Sequence, residues 1–213
     1  MSKTFVLLAV TALISSSLPA AQAADLARKM PAKIVVPAKQ IVEARSSEEI
    51  LRSAMQKYES KDLRGALAEF DQLIKLNPNN AVAYASRGNV KDDLGNPQGA
   101  LADYSKALSL DRRDYSTYFN RGVTYARLEK YQQAITDFET AIELNANYAT
   151  AHRNLGMIKY VSAANKSDKE AGLAHVRKSV ELYRKQGAEA KATASEAIVQ
   201  QMLQDLSQTT SIN

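Results

Sequence analysis

The sequence predicts an all-α protein: an α-solenoid of antiparallel helix pairs, with three full units, a divergent fourth and a C-terminal capping helix. Three observations carry that expectation. A period of 34 residues runs through the middle of the chain. Helix breakers are scarce, with eight Gly and five Pro in 213 residues, while Ala and Leu recur throughout, a composition that favours helix. Apolar residues return at helical spacing, so each predicted helix has one face to bury. One helix pair cannot bury its faces alone, so pairs must stack.

The chain opens with a targeting pattern. Met1–Lys3 is a short basic start, Phe5–Leu18 is an apolar run, Pro19 breaks it, and Ala21-Gln22-Ala23 is a small-x-small site. This is the three-part layout of a secretory signal peptide over residues 1–23, with cleavage expected after Ala23. The run is shorter than the ~20 apolar residues a membrane span needs. Residues 24–46 read as a basic, Pro-containing linker, in which Pro31 and Pro37 bracket Ile34-Val35-Val36 and resist helix. The expectation is export to a periplasm, or to a thylakoid lumen if the source is cyanobacterial, with the mature protein soluble.

The period fixes the units at residues 47–80, 81–114 and 115–148. Ala54, Gly88, Gly122 and Gly156 form one column, and Ala66, Ala100 and Ala134 another. Phe70, Tyr104 and Phe138 make a third, and Tyr84, Tyr118 and His152 a fourth. Leu76, Leu110 and Leu144 close the second helices, each followed by Asn77, Asp111 or Asn145. The small columns are where backbones should approach closely, with a large aromatic filling the space beside them. Ser46 with Glu49 is a capping box, and Asn96-Pro97 is a helix start. In the first helix Leu51, Ala54, Met55 and Tyr58 make the apolar stripe. A fourth unit over 149–187 starts well at Leu155 and Gly156, then gains extra polar residues at Ala163–Asp168. Residues 188–213 form the capping helix and tail, with Ala194, Ile198, Met202 and Leu206 on its inner face.

These columns resemble the tetratricopeptide repeat family, in an exported bacterial form. Tyr115–Tyr148 matches best, through Tyr118, Gly122, Tyr125, Ala134, Phe138 and Ala141, with Ala146 where the family has proline. The resemblance implies a protein-binding groove lined by the first helices of successive repeats. Carried onto this chain, it names Val82, Ala85, Asn89 and Asp92, then Ser116, Phe119, Asn120 and Val123, then Thr150, Arg153, Asn154 and Met157. Asn89, Asn120 and Asn154 are the informative members, because a primary amide both donates and accepts and can pair with any peptide main chain. A subgroup of the family clamps the acidic tails of heat-shock chaperones. Ala85, Thr150 and Asn154 stand where that clamp needs cations, so the chaperone-tail reading does not apply.

Composition bounds the alternatives. Cysteine is absent, which removes disulfides, thiolate metal sites and cysteine nucleophiles. No phosphate loop or nucleophile elbow is present, and His152 and His175 stand 23 positions apart with no ligand-spaced acidic pair. We expect no catalytic residues, no metal and no cofactor. Net charge is +5, but the basic excess lies in the flanks and the repeats are nearly neutral, with aromatics in core columns. That disfavours nucleic acid. It leaves a weak contact between the basic flanks and anionic membranes as a second reading, with the repeats as a spacer. The first reading is a module that holds an extended segment of a protein or peptide partner, as an adaptor or assembly factor of the cell envelope. Neither the partner nor the oligomeric state is written in the sequence.

Overall fold

The computed structural model describes residues 46–210; the expected signal peptide, the cleavage after Ala23 and residues 24–45 of the linker lie outside the described residues. Among the described residues every regular element is an α-helix. They are α1 (Ser47–Glu59), α2 (Leu63–Leu76), α3 (Ala81–Asp93), α4 (Pro97–Leu110), α5 (Tyr115–Arg127), α6 (Tyr131–Leu144), α7 (Ala149–Val161), α8 (Lys166–Lys185) and α9 (Glu189–Thr210). This is the all-α class of helix pairs that the 34-residue period predicts. Two compact units divide at Pro78 and Asn79.

Within the first unit α1 packs on α2. The capping box forms as expected: Glu49 N–H donates to the Ser46 hydroxyl, and Ser46 N–H to the Glu49 carboxylate. The apolar stripe of α1 is centred differently from the sequence expectation. Ile50 and Ala54 are fully buried, whereas Met55 is 40% exposed. The reason is polar. Ser53 and Lys57 both reach Glu69 of α2, at 3.2 and 2.7 Å. That contact turns the Ile50–Ala54–Lys57 side inward, and Met55 lies ~100° round the helix from Ala54.

In the second unit each repeat is a tight pair, α3 with α4, α5 with α6 and α7 with α8. The second helix of one pair packs on the first helix of the next, and α3, α5 and α7 are also neighbours. The Gly column does its work in two ways. A Cβ on Gly88 would stand 2.6 Å from the Tyr104 ring, and one on Gly122 would stand 2.8 Å from the Phe138 ring. In these two pairs the space is claimed by the aromatic column, not by a facing backbone. Only at Gly156 is the neighbour main chain, with the Gly172 carbonyl oxygen 2.6 Å from the hypothetical Cβ. There a second glycine on α8 lets the two helices touch.

The turns inside the pairs repeat as well. Lys61, Gly95 and Glu129, 34 positions apart, all take positive φ, at 65°, 76° and 57°. Each is followed by an amide that reaches back five residues, as from Lys130 N–H to the Tyr125 carbonyl at 2.9 Å. This left-handed ending satisfies the last carbonyls of the helix.

The fourth unit departs where the sequence gains residues. Asn165 caps α8 through Asp168 N–H, and the extra polar residues become its first turn, giving 20 residues against 14 in α2, α4 and α6. The long α8 then receives α9. The inner face of α9 is Ala192, Ser195, Val199, Met202 and Leu206, while Ala194, expected on that face, is exposed. A strict three–four spacing keeps those five positions in one seam against α8. Leu173, Val176, Val180 and Tyr183 supply the other side. Tyr160 of α7 ties α9 down: its single hydroxyl proton is shared between Asp205 Oδ2 at 2.6 Å and the Met202 carbonyl at 2.9 Å.

Candidate functional site

The face shared by α3, α5 and α7 carries the residues that the repeat resemblance names. Asn89 on α3 and Asn120 on α5 are joined, since the Asn120 amide donates to Asn89 Oδ1 at 3.0 Å. The same oxygen accepts the Tyr104 hydroxyl at 2.8 Å. The three groups leave the Asn89 amide N–H groups and the Asn120 oxygen unspent. Both residues are half-buried. Sequence reasoning placed these amides on one face but did not foresee that they hold one another.

Phe119 belongs to a chain of rings. Its centroid lies 5.6 Å from Phe138 and 4.9 Å from Tyr148, and Tyr148 lies 5.2 Å from Tyr115 edge to face. Burial, then the neighbouring Tyr115, Tyr183 and Asp114, pushes the Tyr148 hydroxyl up to about 12, so it is a neutral donor throughout the physiological range. Asp114 fixes the start of α5. It accepts from the hydroxyls of Ser116 and Thr117 and from both their amides. Burial raises its carboxyl, but those four hydrogen bonds together hold it below the usual range. Ser116 is therefore spent on the cap.

Next to this aromatic row lies an apolar depression of about 290 Å³, lined by Val123, Ala126, Arg127, Phe138, Asn154, Met157 and Ile158. Val123, Asn154 and Met157 are groove positions of the sequence reading; Ala126, Arg127 and Ile158 were not recognised there. Their signal was available, since Ala126 and Arg127 follow Val123 by one helical turn. Arg127 is paired at 2.7 Å with Asp92, whose other oxygen is buried without a partner. Thr150 is bonded to the Tyr183 hydroxyl at 2.8 Å. Arg153 is half-buried, with its guanidinium 6.0 Å above the Tyr183 ring. Val82, at 56% exposure, and half-buried Ala85 sit toward the start of α3 and do not line the depression.

A polar column runs behind this face. Arg87 grips Asp103 through two bonds of 2.8 and 2.6 Å, and Arg121 grips Asp137 through two of 2.8 and 2.7 Å. Lys91 adds to Asp103 at 2.7 Å. Asp103 and Asp137 are almost wholly buried. The hydrogen bonding that Arg121 donates to Asp137, first, raises the Arg121 guanidinium above its ordinary range, against the opposing effect of burial. These pairs hold the two helices of a repeat in register and keep four charges away from the groove. Among the described residues no cluster of three or more His, Asp or Glu is placed to hold a metal ion, and no helix is long and apolar enough to cross a membrane.

Comparison with known proteins agrees with this architecture. Residues 115–148 match one tetratricopeptide repeat model and residues 51–118 match a second. Among solved structures, the chain is similar to a MamA fragment from Desulfovibrio magneticus RS-1, at 20% identity and a TM-score of 0.60, covering 86% of this chain and 96% of that one. It is similar to the TPR domain of Arabidopsis OM64 at 28% identity and a TM-score of 0.52, over 53% of this chain and 93% of that one. YrrB, described as a TPR protein with an unusual peptide-binding site, aligns at 19% identity and a TM-score of 0.56, over 79% and 93%. Comparison with curated protein sequences gives no match.

Proposed function

The chain belongs to the tetratricopeptide repeat family, and from that premise we propose that it is a protein–protein interaction module that holds an extended segment of a partner on the α3–α5–α7 face. The observation that carries this reading is the Asn89–Asn120 pair beside the depression at Val123 and Met157. The pair presents unspent amide donors and an acceptor for a peptide main chain, and the depression offers apolar contact next to them. The peptide-binding description of YrrB supports the reading by fold alone. We read the protein as a binding scaffold, not an enzyme: the repeats that its sequence matches are generally binding scaffolds, and the Asp114 carboxylate beside Ser116 and Thr117 is spent on capping α5.

The role we assign is an adaptor or assembly factor of the cell envelope, reached by export and cleavage after Ala23. N-terminal sequencing of the mature protein tests the export. A chain that keeps Met1–Ala23, or one confined to the cytoplasm, removes the envelope role.

Binding is tested by crosslinking in the native envelope fraction, followed by capture. Phe119→Ala with Asn120→Ala should keep its helical content by circular dichroism and lose most of the captured partner. Losing a bonded amide costs roughly 0.5–1.5 kcal/mol, and an aromatic anchor about 2 kcal/mol. Because Phe119 packs on Phe138 and Tyr148, Met157→Glu serves as a second variant. Met157 is 39% exposed, so a charge there blocks the depression without entering a core. Lys130→Ala with Gln133→Ala, both exposed on the other side of the repeat, should bind as the parent does. If the groove variants bind and the outer one fails, the assignment is wrong. Capture that collapses with salt alone favours the basic flanks on an anionic membrane surface.

A further inference from the structure

We propose that His152 on α7 and His175 on α8 together form a two-coordinate site for a monovalent soft metal ion, with copper(I) as the expected ion and silver(I) as its redox-inert analogue. The site does not depend on the groove reading. The expectation of no metal came from spacing along the chain; the packing of α7 on α8 supplies the closeness which that spacing lacks.

The two Nδ1 atoms face each other at 3.2 Å. The ring centroids are 5.5 Å apart and the ring planes 31° from parallel. The centroids are farther apart than the nitrogens by about one ring's width. Both nitrogens therefore sit nearly on the line between the ring centres, and their lone-pair axes run head-on. The other nitrogen of His152, Nε2, lies 3.2 Å from the Ala146 carbonyl. A carbonyl only accepts, so Nε2 keeps its hydrogen and Nδ1 turns its lone pair toward His175. A carbonyl on the far nitrogen is a common second partner of a metal-bound histidine. Burial, first, lowers the proton affinity of both rings, so at neutral pH both are uncharged, the form that binds metal. Gly156 and Gly172 bring the two backbones together one turn away, so the pair stands on helices that already touch.

Geometry and charge select the ion. Lone pairs that run head-on suit a metal lying between them, the two-coordinate arrangement of closed-shell monovalent copper and silver. A divalent ion wants four or more donors converging from different directions, and among the described residues no third His, Asp or Glu completes such a set. Charge points the same way. After burial, Lys178 lowers the proton affinity of His152, and Lys159 that of His175 against Glu139. Added positive charge is opposed here, and a single charge costs least. Cysteine is absent, so no thiolate of this chain competes for a soft ion. Two metal–nitrogen bonds of ~2.0 Å laid end to end need the nitrogens about 4 Å apart, so the rings must part by less than about 1 Å. His152 is buried and His175 half-buried, so His175 is the ring that moves. The ion displaces the hydrogen that His175 Nδ1 donates, and one is taken up at Nε2. The ring changes tautomer, no proton is released overall, and the bound pair carries the ion's single charge.

The test uses the full mature chain in chloride-free buffer. The probes are silver(I) nitrate, and copper(I) kept reduced by ascorbate and offered from a bicinchoninate complex. One equivalent of either ion should bind per chain and raise the thermal midpoint. Imidazole nitrogen NMR should show His175 passing from the Nδ1–H to the Nε2–H tautomer while His152 keeps Nε2–H. His152→Tyr, which restores the aromatic of its column, and His175→Gln, at a half-buried position, should each lose at least about tenfold in affinity, since even an outer partner of a metal ligand is worth ~10–100-fold. Circular dichroism checks that each variant is folded, and His175→Gln carries the test alone if His152→Tyr is not. Binding that survives both histidine changes belongs to exposed thioethers such as Met55 and Met157 and overturns the proposal. Zinc(II) binding more tightly than silver(I) at the same two histidines also overturns it. So does the absence of one-to-one binding at micromolar ion. None of these outcomes touches the groove reading.

Discussion

His152 and His175, on neighbouring helices α7 and α8, meet Nδ1 to Nδ1 at 3.2 Å. The other nitrogen of His152 lies 3.2 Å from the Ala146 carbonyl, which can only accept. His152 therefore carries its proton on Nε2 and accepts on Nδ1, and His175 donates. Burial lowers the affinity of both rings for a second proton. At His152 the bond to the Ala146 carbonyl opposes this and Lys178 adds to it; at His175, His152 and Lys159 add to it and Glu139 opposes. Glu139 is itself paired with Lys159 at 2.7 Å. Protonating His152 would set two N–H groups against each other across the helix pair.

The pH dependence follows from the direction of those shifts. Both folded-state values lie below the ordinary 6.5, so between them and 6.5 the unfolded chain binds more protons than the folded one. This contribution to stability is complete above pH ~6.5 and is lost as pH falls below it. Denaturation midpoints should fall between pH 7.5 and pH 5. In His152→Tyr, which restores the aromatic of the column, the fall should be shallower. A parent protein equally stable at both pH values would mean that the rings are not buried against each other.

Glycines at 122 and 156 share a column but not a mechanism, and the difference is measurable. At Gly122 an added Cβ meets the edge of the Phe138 ring at 2.8 Å and the Asp137 Cβ at 3.3 Å. At Gly156 it meets the Gly172 oxygen at 2.6 Å and the Val176 amide nitrogen at 2.8 Å. A ring can tilt by a few tenths of an ångström, whereas two helical backbones must separate as bodies. Gly156→Ala should therefore lower the melting temperature more than Gly122→Ala, while Gly122→Leu should cost about 1–3 kcal/mol or more. Equal melts for the two alanine variants would reject the distinction.

The 34-residue columns made the helix pairs legible, because a periodic apolar pattern has few other solutions. The residues that the same period repeats in polar form were harder to read. Glu69, Asp103 and Asp137 recur at that spacing, as do Arg87 and Arg121, yet charged residues look like solvated surface until burial is known. Asn89 and Asn120 were visible as groove residues, but their mutual bond depends on how far apart α3 and α5 sit. That the two histidines meet was not legible either, because it depends on where α8 begins, at Lys166, and on its run of 20 residues. Arg153 was visible as a groove residue; its lack of a carboxylate partner was not, since pairing is decided by three dimensions.

Glu129 occupies the left-handed turn position that Gly95 fills one repeat earlier, with φ of 57° against 76°. A side chain in that conformation costs roughly 1–2 kcal/mol relative to glycine. Glycine gives part of this back through the larger freedom of the unfolded chain. Glu129→Gly should stabilise the protein by about 0.5–1 kcal/mol, visible as a higher denaturation midpoint, and Gly95→Ala should destabilise it. A Glu129→Gly variant with a lower midpoint would show that the Glu129 side chain makes a compensating contact.

The Arg121–Asp137 pair tests whether the polar column holds each repeat or merely decorates it. Asp137 is 3% exposed, and the Arg121 side chain retains 19% exposure. Removing one partner strands the other's charge away from water, which typically costs about 3–5 kcal/mol. The residual exposure of Arg121, and its further bond of 3.2 Å to Ser105, put Asp137→Ala toward the lower end of that range. Replacing both, as Arg121→Met with Asp137→Leu, leaves no orphan charge and fills similar volume. The double variant should therefore recover most of the loss. Chemical denaturation of the two single variants and the double variant gives the coupling directly. Additive losses would mean that the two side chains act independently, and the register of α5 on α6 would then rest on apolar contacts such as those of Gly122 and Phe119 with Phe138.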